Sequence, residues 1–167
     1  MVNIKHPTKG YIPYVMNGRQ LKLYDAFHQY KNICVTMPRQ GGATTCLSYF
    51  LHIYRNDKIL CLSHDASNAF NMFITFKRMN HYNDDNIEFI DMNSARIIDV
   101  INSEPWDIVI IDNYAYGSML PSTLNEIANN PKTKLVLVST FDHTTAPYHH
   151  FLNNLFVPTN TKLIEIT

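Results

Sequence analysis

The residues between Pro38 and Thr45 are of the kinds that hold phosphate. Gly41 and Gly42 stand between a β-branched run, Ile33 to Met37, and a stretch of helical period, and Thr44 and Thr45 follow them. Glycines let backbone N–H groups approach an anion, and a helix N-terminus beginning there adds the favourable end of its dipole. A threonine hydroxyl at the helix start can hold Mg²⁺. A Gly-Gly turn also serves conformation alone, so a second feature matters. Ile108 to Ile111 is wholly apolar and is followed by Asp112. A carboxylate there is placed beside the Mg²⁺ of a nucleotide, and it is equally able to cap a core strand. Ser139 to Asp142 follows a third apolar run. The three segments should meet, because open α/β sheets bind ligands at the carboxyl ends of their strands.

The elements that must position them alternate. Short β-branched runs at 33–37, 58–62, 87–90, 107–111, 134–138 and 163–166 are separated by stretches of helical period. Leu47, Phe50, Leu51 and Tyr54 give a helix from about Ala43 to Tyr54; Ala69, Met72, Phe73 and Phe76 give a second, capped by Ser63 or Asp65. Shorter helices are expected at 94–102, 121–128 and 147–156. This is the pattern of parallel strands joined by crossover helices. It predicts an α/β, three-layer P-loop NTPase-like domain, with a mainly parallel central sheet flanked by helices. Residues 1–167 read as a single domain with 1–20 as an N-terminal arm, since no repeat or linker interrupts them.

Composition narrows the functions. Acidic and basic residues number fourteen each, whereas a protein that grips many phosphates of nucleic acid is usually basic. Any contact with double-stranded DNA should therefore be local or shared with partner subunits. The longest apolar runs are far below the roughly 18 residues of a membrane span, and no apolar stretch of signal-peptide type follows Met1 to Lys9; neither membrane attachment nor secretion is expected. Cys34, Cys46 and Cys61 have no metal-type spacing and read as buried free thiols. The pair His149 and His150 lacks a carboxylate or cysteine at ligand spacing.

Arg39-Gln40-Gly41-Gly42-Ala43-Thr44-Thr45 resembles the Arg-Gln-x-Gly-Lys-Thr-Thr phosphate loop of the large terminases of T4-like tailed bacteriophages, differing at the lysine. Ile108 to Asn113 resembles that family's Walker B strand, which ends in Asp-Glu. Val138 to Asp142 resembles its coupling motif, and Leu21 to Tyr24 its adenine-binding Tyr-Gln segment, with Asp25 in place of the glutamine. The likeness runs from about Leu21 to Thr167 and stops where a terminase would continue into its nuclease domain. It implies ATP with Mg²⁺ as ligand. Gln40, Gly41, Gly42, Ala43, Thr44, Thr45 and Tyr24 would bind the nucleotide; Thr44 and Asp112 would hold the metal. Arg39, Asp112 and Asn113 would occupy the catalytic positions, and Ser139 and Thr140 would couple nucleotide state to movement. The resemblance also implies a virus-encoded protein of the host cytoplasm, with homo-oligomers, DNA, and terminase, portal or capsid proteins as partners.

Two departures bear on the mechanism. Ala43 stands where the family has the lysine that neutralises the β- and γ-phosphates, and Asn113 where it has the glutamate that activates water. A methyl group carries no charge, and an amide orients water without accepting its proton. Arg39 can supply charge to the γ-phosphate in the manner of an arginine finger. Two functions follow as expectations: a DNA-packaging ATPase module impaired in hydrolysis, or a catalytically dead pseudo-ATPase that acts on a terminase, portal or capsid partner.

Overall fold

A computed structural model describes residues 2–6, 10–14, 16–39, 42–79, 86–114, 119–141 and 153–167. Six strands form one sheet: β3 (Ile33–Pro38), β4 (Ile59–Ser63), β5 (Ile87–Asp91), β6 (Ile108–Asp112), β7 (Lys134–Phe141) and β8 (Lys162–Glu165). Their order across the sheet is β5-β4-β6-β7-β3-β8, and every pairing is parallel. Parallel strands need covered faces, which is why Ile108 to Asp112 and Ile59 to Ser63 are buried throughout.

Helices α1 (Gly18–Gln29), α2 (Ala43–Ile53) and α3 (Ala66–Met79) cover one face, packing Leu23, Phe27, Leu47, Phe50, Met72 and Phe76 on Ile33, Val35, Ile59, Ile110 and Val136. Helices α4 (Ile97–Ser103) and α5 (Pro121–Asn129) cover the other with Val100, Leu124 and Ile127. Phe27 and Phe50 stack at 3.9 Å between α1 and α2. Burying such a ring contributes roughly 2–3 kcal/mol, and Phe27→Ala would cost about 3–5 kcal/mol by opening a cavity between the two helices.

The N-terminal region carries regular structure of its own. Val2–His6 (β1) and Gly10–Tyr14 (β2) pair as antiparallel strands, and α1 starts at Gly18. The cause of the helix is a capping box: Asn17 Oδ1 accepts from the Gln20 amide at 2.9 Å, while Gln20 Oε1 accepts from the Asn17 amide at 3.0 Å. The β7 strand runs three residues past its expected end, to Phe141, because β3 beside it continues to Pro38 and pairs with it there. The helix expected over 147–156 lies mostly outside the described residues, as do Asp142 and the pair His149 and His150. Among the described residues no helix is long and apolar enough to cross a membrane.

Topology sets the place of the site. β3, which leads into the glycine loop, does not adjoin β6, which carries Asp112; β7 lies between them. In the fold the chain leaving β3 crosses β7 and β6 before entering β4, so α2 passes over the carboxyl end of β6.

Candidate functional site

Side-chain parity decides which residues face α2. Successive side chains on a strand point to opposite faces, and Ile108, Ile110 and Val136, Val138 belong to the core under α1 to α3. Asp112 and Thr140 continue those rows and face α2. Ser139 continues the row of Leu135 and Leu137 toward α4 and α5 and is fully buried.

Gly42 is the N-cap of α2, with φ 81° and ψ 26° and no side-chain cap. This left-handed conformation suits glycine. A Cβ there would stand 2.2 Å from Gln20 Nε2, which donates to the Gly42 carbonyl at 3.0 Å. Thus the residue whose backbone bonds start α1 also fixes the start of α2. Ala43 is buried, and Thr44 and Thr45 are half-buried. Arg39 is exposed, and its amide donates to the Phe141 carbonyl at 2.9 Å, tying the start of the loop to the end of β7. Gln40 and Gly41 lie outside the described residues.

Thr44 Oγ1 donates to Asp112 Oδ2 at 3.1 Å, so the two side chains expected to share a metal are in contact. Asp112 is 3 % exposed. Burial pushes its carboxyl above the ordinary carboxylate range, against the Thr44 hydroxyl, the Asn113 amide and the nearby His64 imidazole, which pull it down. Asp112 Oδ1 accepts from the Asn113 amide at 3.0 Å, a local bond that accompanies the positive φ of 54° at Asn113. The turn carries the Asn113 side chain sideways, where Nδ2 donates to Asn68 Oδ1 at 3.3 Å and Oδ1 accepts from Thr140 Oγ1 at 3.5 Å.

Nothing in their residue type alone marks Asn68 or Gln20 as part of the site. Asn68 stands in the first turn of α3, whose start is capped by Asp65: Oδ1 accepts from the Asn68 amide at 2.8 Å and from Asn68 Nδ2 at 2.9 Å. Asp65 Oδ2 lies 2.9 Å from His64 Nε2. Asn-x-x-Gln at Asn17 and Asp-x-x-Asn at Asp65 were the available signals, and both are helix-start patterns whose third partner is a distant loop that only the fold supplies. Tyr24 is not brought to the loop. Its ring lies 6.0 Å from Phe50, two turns along α2 from Thr44, and 4.5 Å from His28.

The donor set fits a divalent cation with its phosphates: a hydroxyl and a carboxylate, both hard oxygen ligands, at the N-terminus of an eleven-residue helix. The same set lacks positive charge, since no lysine stands in the first turn of α2.

The fold defines the class: an α/β domain of P-loop NTPase-like architecture, with a six-stranded parallel sheet between two helix layers. No protein-family profile and no curated protein matches the sequence. Solved structures do match the fold. The large terminase of a thermophilic bacteriophage superposes with a TM-score of 0.65 at 14% identity, over 92% of this chain and 46% of that one. The large terminase ATPase domain of Thermus phage P74-26, in mutant form, gives a TM-score of 0.55 at 14% identity, over 92% of this chain and 82% of that domain. The chain thus spans about half the length of the first. Its fold is that of the large-terminase ATPase domain.

Proposed function

We propose that this chain is a nucleotide-binding module of the large-terminase type, which takes a nucleoside triphosphate with Mg²⁺ and is impaired in hydrolysis. The observation that carries the reading is the 3.1 Å contact between Thr44 and Asp112 at the carboxyl edge of a parallel sheet. Thr44 and Asp112 would hold the metal. Gly42, Ala43 and Thr45, with Gln40 and Gly41, would line the phosphates, and α2 would offer its first-turn N–H groups. The bound metal supplies electrostatic neutralisation of the phosphate oxygens.

Slow chemistry follows from two side chains. Ala43 offers a methyl where phosphoryl transfer needs a cation, a loss that typically costs several kcal/mol of transition-state stabilisation. Asn113 holds a water by hydrogen bonding and does not take its proton. Arg39, at the loop's entrance, would supply charge to the γ-phosphate. Thr140, in contact with Asn113 and on the face toward α2, is the member of the coupling pair nearer the nucleotide; Ser139 faces the other helix layer. In this reading the module works as a homo-oligomer on viral double-stranded DNA in the host cytoplasm.

A second reading is favoured by the bonds of Asn113, whose amide is engaged on both sides by Asn68 and Thr140. There the chain is a pseudo-ATPase that uses the terminase-like fold to bind a terminase, portal or capsid protein. Calorimetric titration separates the two. The first predicts MgATP binding at micromolar Kd or tighter, lost in EDTA; absence of any heat with ATP, with or without Mg²⁺, rejects it and leaves the second.

A further inference from the structure

The polar groups at this edge extend beyond the expected site, and their orientations are fixed in sequence by one carboxylate. An ionised Asp65 only accepts hydrogen bonds. Asn68 Nδ2, 2.9 Å from Asp65 Oδ1, must therefore be the donor end of that amide. Asn68 Oδ1 then faces Asn113, whose Nδ2 turns toward it at 3.3 Å. This leaves Asn113 Oδ1 directed to Thr140, whose hydroxyl donates to it. Asp65 is itself steady in this role. The Asn68 amide and side chain, chiefly, hold its carboxyl below the ordinary range, and the His64 imidazole lies against its other oxygen. Reversing the Asn68 amide would set its oxygen against the carboxylate, and reversing Asn113 would set two oxygens against each other.

We infer that Asn68 is a positioning residue of the nucleotide site, acting through Asn113 so that its carbonyl oxygen, an acceptor, faces the end of β7 beside the loop. The inference deepens the proposed function and rests on it. An acceptor at that place does not attract a phosphate oxygen; it holds a proton-bearing group, such as the Thr140 hydroxyl or a water on the terminal phosphate. The site would then distinguish nucleoside triphosphate from diphosphate through an amide, with no charge at position 113. The chain of contacts also joins three elements, α3, β6 and β7, so the presence of a terminal phosphate would be registered at the start of α3.

The test measures MgATP and MgADP affinities by calorimetry for the wild-type chain, Asn68→Ala, Asn113→Ala and the double variant, with melting curves of all four without nucleotide. Loss of one such hydrogen bond corresponds to roughly a five-fold change. The expected result is that Asn68→Ala shifts the ATP-to-ADP affinity ratio by about that factor while MgADP affinity is retained. Asn113→Ala should do the same, and the double variant should shift the ratio no further, in line with coupled neighbours. Their effects on melting temperature should likewise be less than additive. An unchanged ratio in Asn68→Ala, or additive effects, overturns the inference while leaving nucleotide binding standing. A wild-type chain that binds neither nucleotide overturns both. Should Asn68→Ala fail to fold, Asn68→Ser, whose hydroxyl can still donate to Asp65 but which lacks the carbonyl that reaches Asn113, is expected to shift the ratio by the same factor; an unchanged ratio there contradicts the role.

Discussion

Helices α2 and α3 both leave the carboxyl edge of the sheet, one strand apart in sequence, and their N-termini are built in opposite ways. At α3 an aspartate closes the helix end with its own carboxylate, and Asn68 and His64 gather around it. At α2 a left-handed glycine starts the helix with no side-chain cap, and the group that reaches it, Gln20 of α1, takes the Gly42 carbonyl. The first four N–H groups of a helix need partners from outside it. The α3 end finds one within the protein; among the described residues no side chain caps the α2 end, and in the proposed reading an incoming phosphate would take that place. If the α2 end binds phosphate as proposed, this difference separates a structural cap from an anion site more clearly than either glycine content or helix dipole does.

The largest effect should come from Asp112. Replacement by alanine is expected to weaken MgATP binding by about 100-fold or more, because it would remove the proposed anionic metal ligand. Its burial has an opposite consequence for the unliganded protein. A carboxyl whose folded pKa is raised contributes stability below its unfolded pKa, and that stability is lost as pH rises through the folded pKa. At neutral pH Asp112→Asn, which keeps an acceptor for Thr44, should thus stabilise the empty protein by about 1 kcal/mol in denaturant unfolding. If both quantities fall together, Asp112 is a structural cap and the contrast between the two helix ends dissolves.

Restoring charge should sharpen the contrast next. Ala43→Lys combined with Asn113→Glu is expected to raise ATP turnover by roughly 100-fold or more over the wild-type chain in a phosphate-release assay. No gain would mean that the α2 end does not place phosphates as proposed. Smaller effects belong to the caps. Gly42→Ala meets both a left-handed φ and the Gln20 amide, and it should cost about 1–2 kcal/mol of stability. Gln20→Ala in that background should recover part of the cost. At the other helix, Asp65→Asn exchanges one good N-cap for another, and its melting temperature should move least of all.

The strands were legible because each is a short run of apolar residues, which in the inner strands is buried on both faces, as Ile108 to Ile111 shows; β5 and β8 at the sheet edges are partly exposed. The six-strand order was not legible, since β7 lies between β3 and β6 through contacts that no local pattern encodes. Helix α1 escaped because its signal is polar: Asn17 and Gln20 form the capping box while Arg19, Lys22 and Asp25 dilute the apolar stripe of Leu23, Ala26 and Phe27. Within the site, it was the resemblance to the terminase phosphate loop that paired Thr44 with Asp112, which the fold brings within 3.1 Å. Residue types and spacing were silent on Asn68, whose bond to Asn113 spans 45 residues and depends on α3 starting beside the β6 turn.

The central claim is that Thr44 and Asp112 together hold the divalent ion of a bound nucleotide. Electron paramagnetic resonance of Mn²⁺, titrated into the wild-type chain and into Thr44→Val in the presence of ATP, tests it most directly. The wild-type chain should convert the free-ion signal to a bound one at stoichiometric ATP, and Thr44→Val should weaken that conversion by about ten-fold or more. A signal that stays that of Mn²⁺ with ATP in solution, or a Thr44→Val titration that overlays the wild type, would contradict the account.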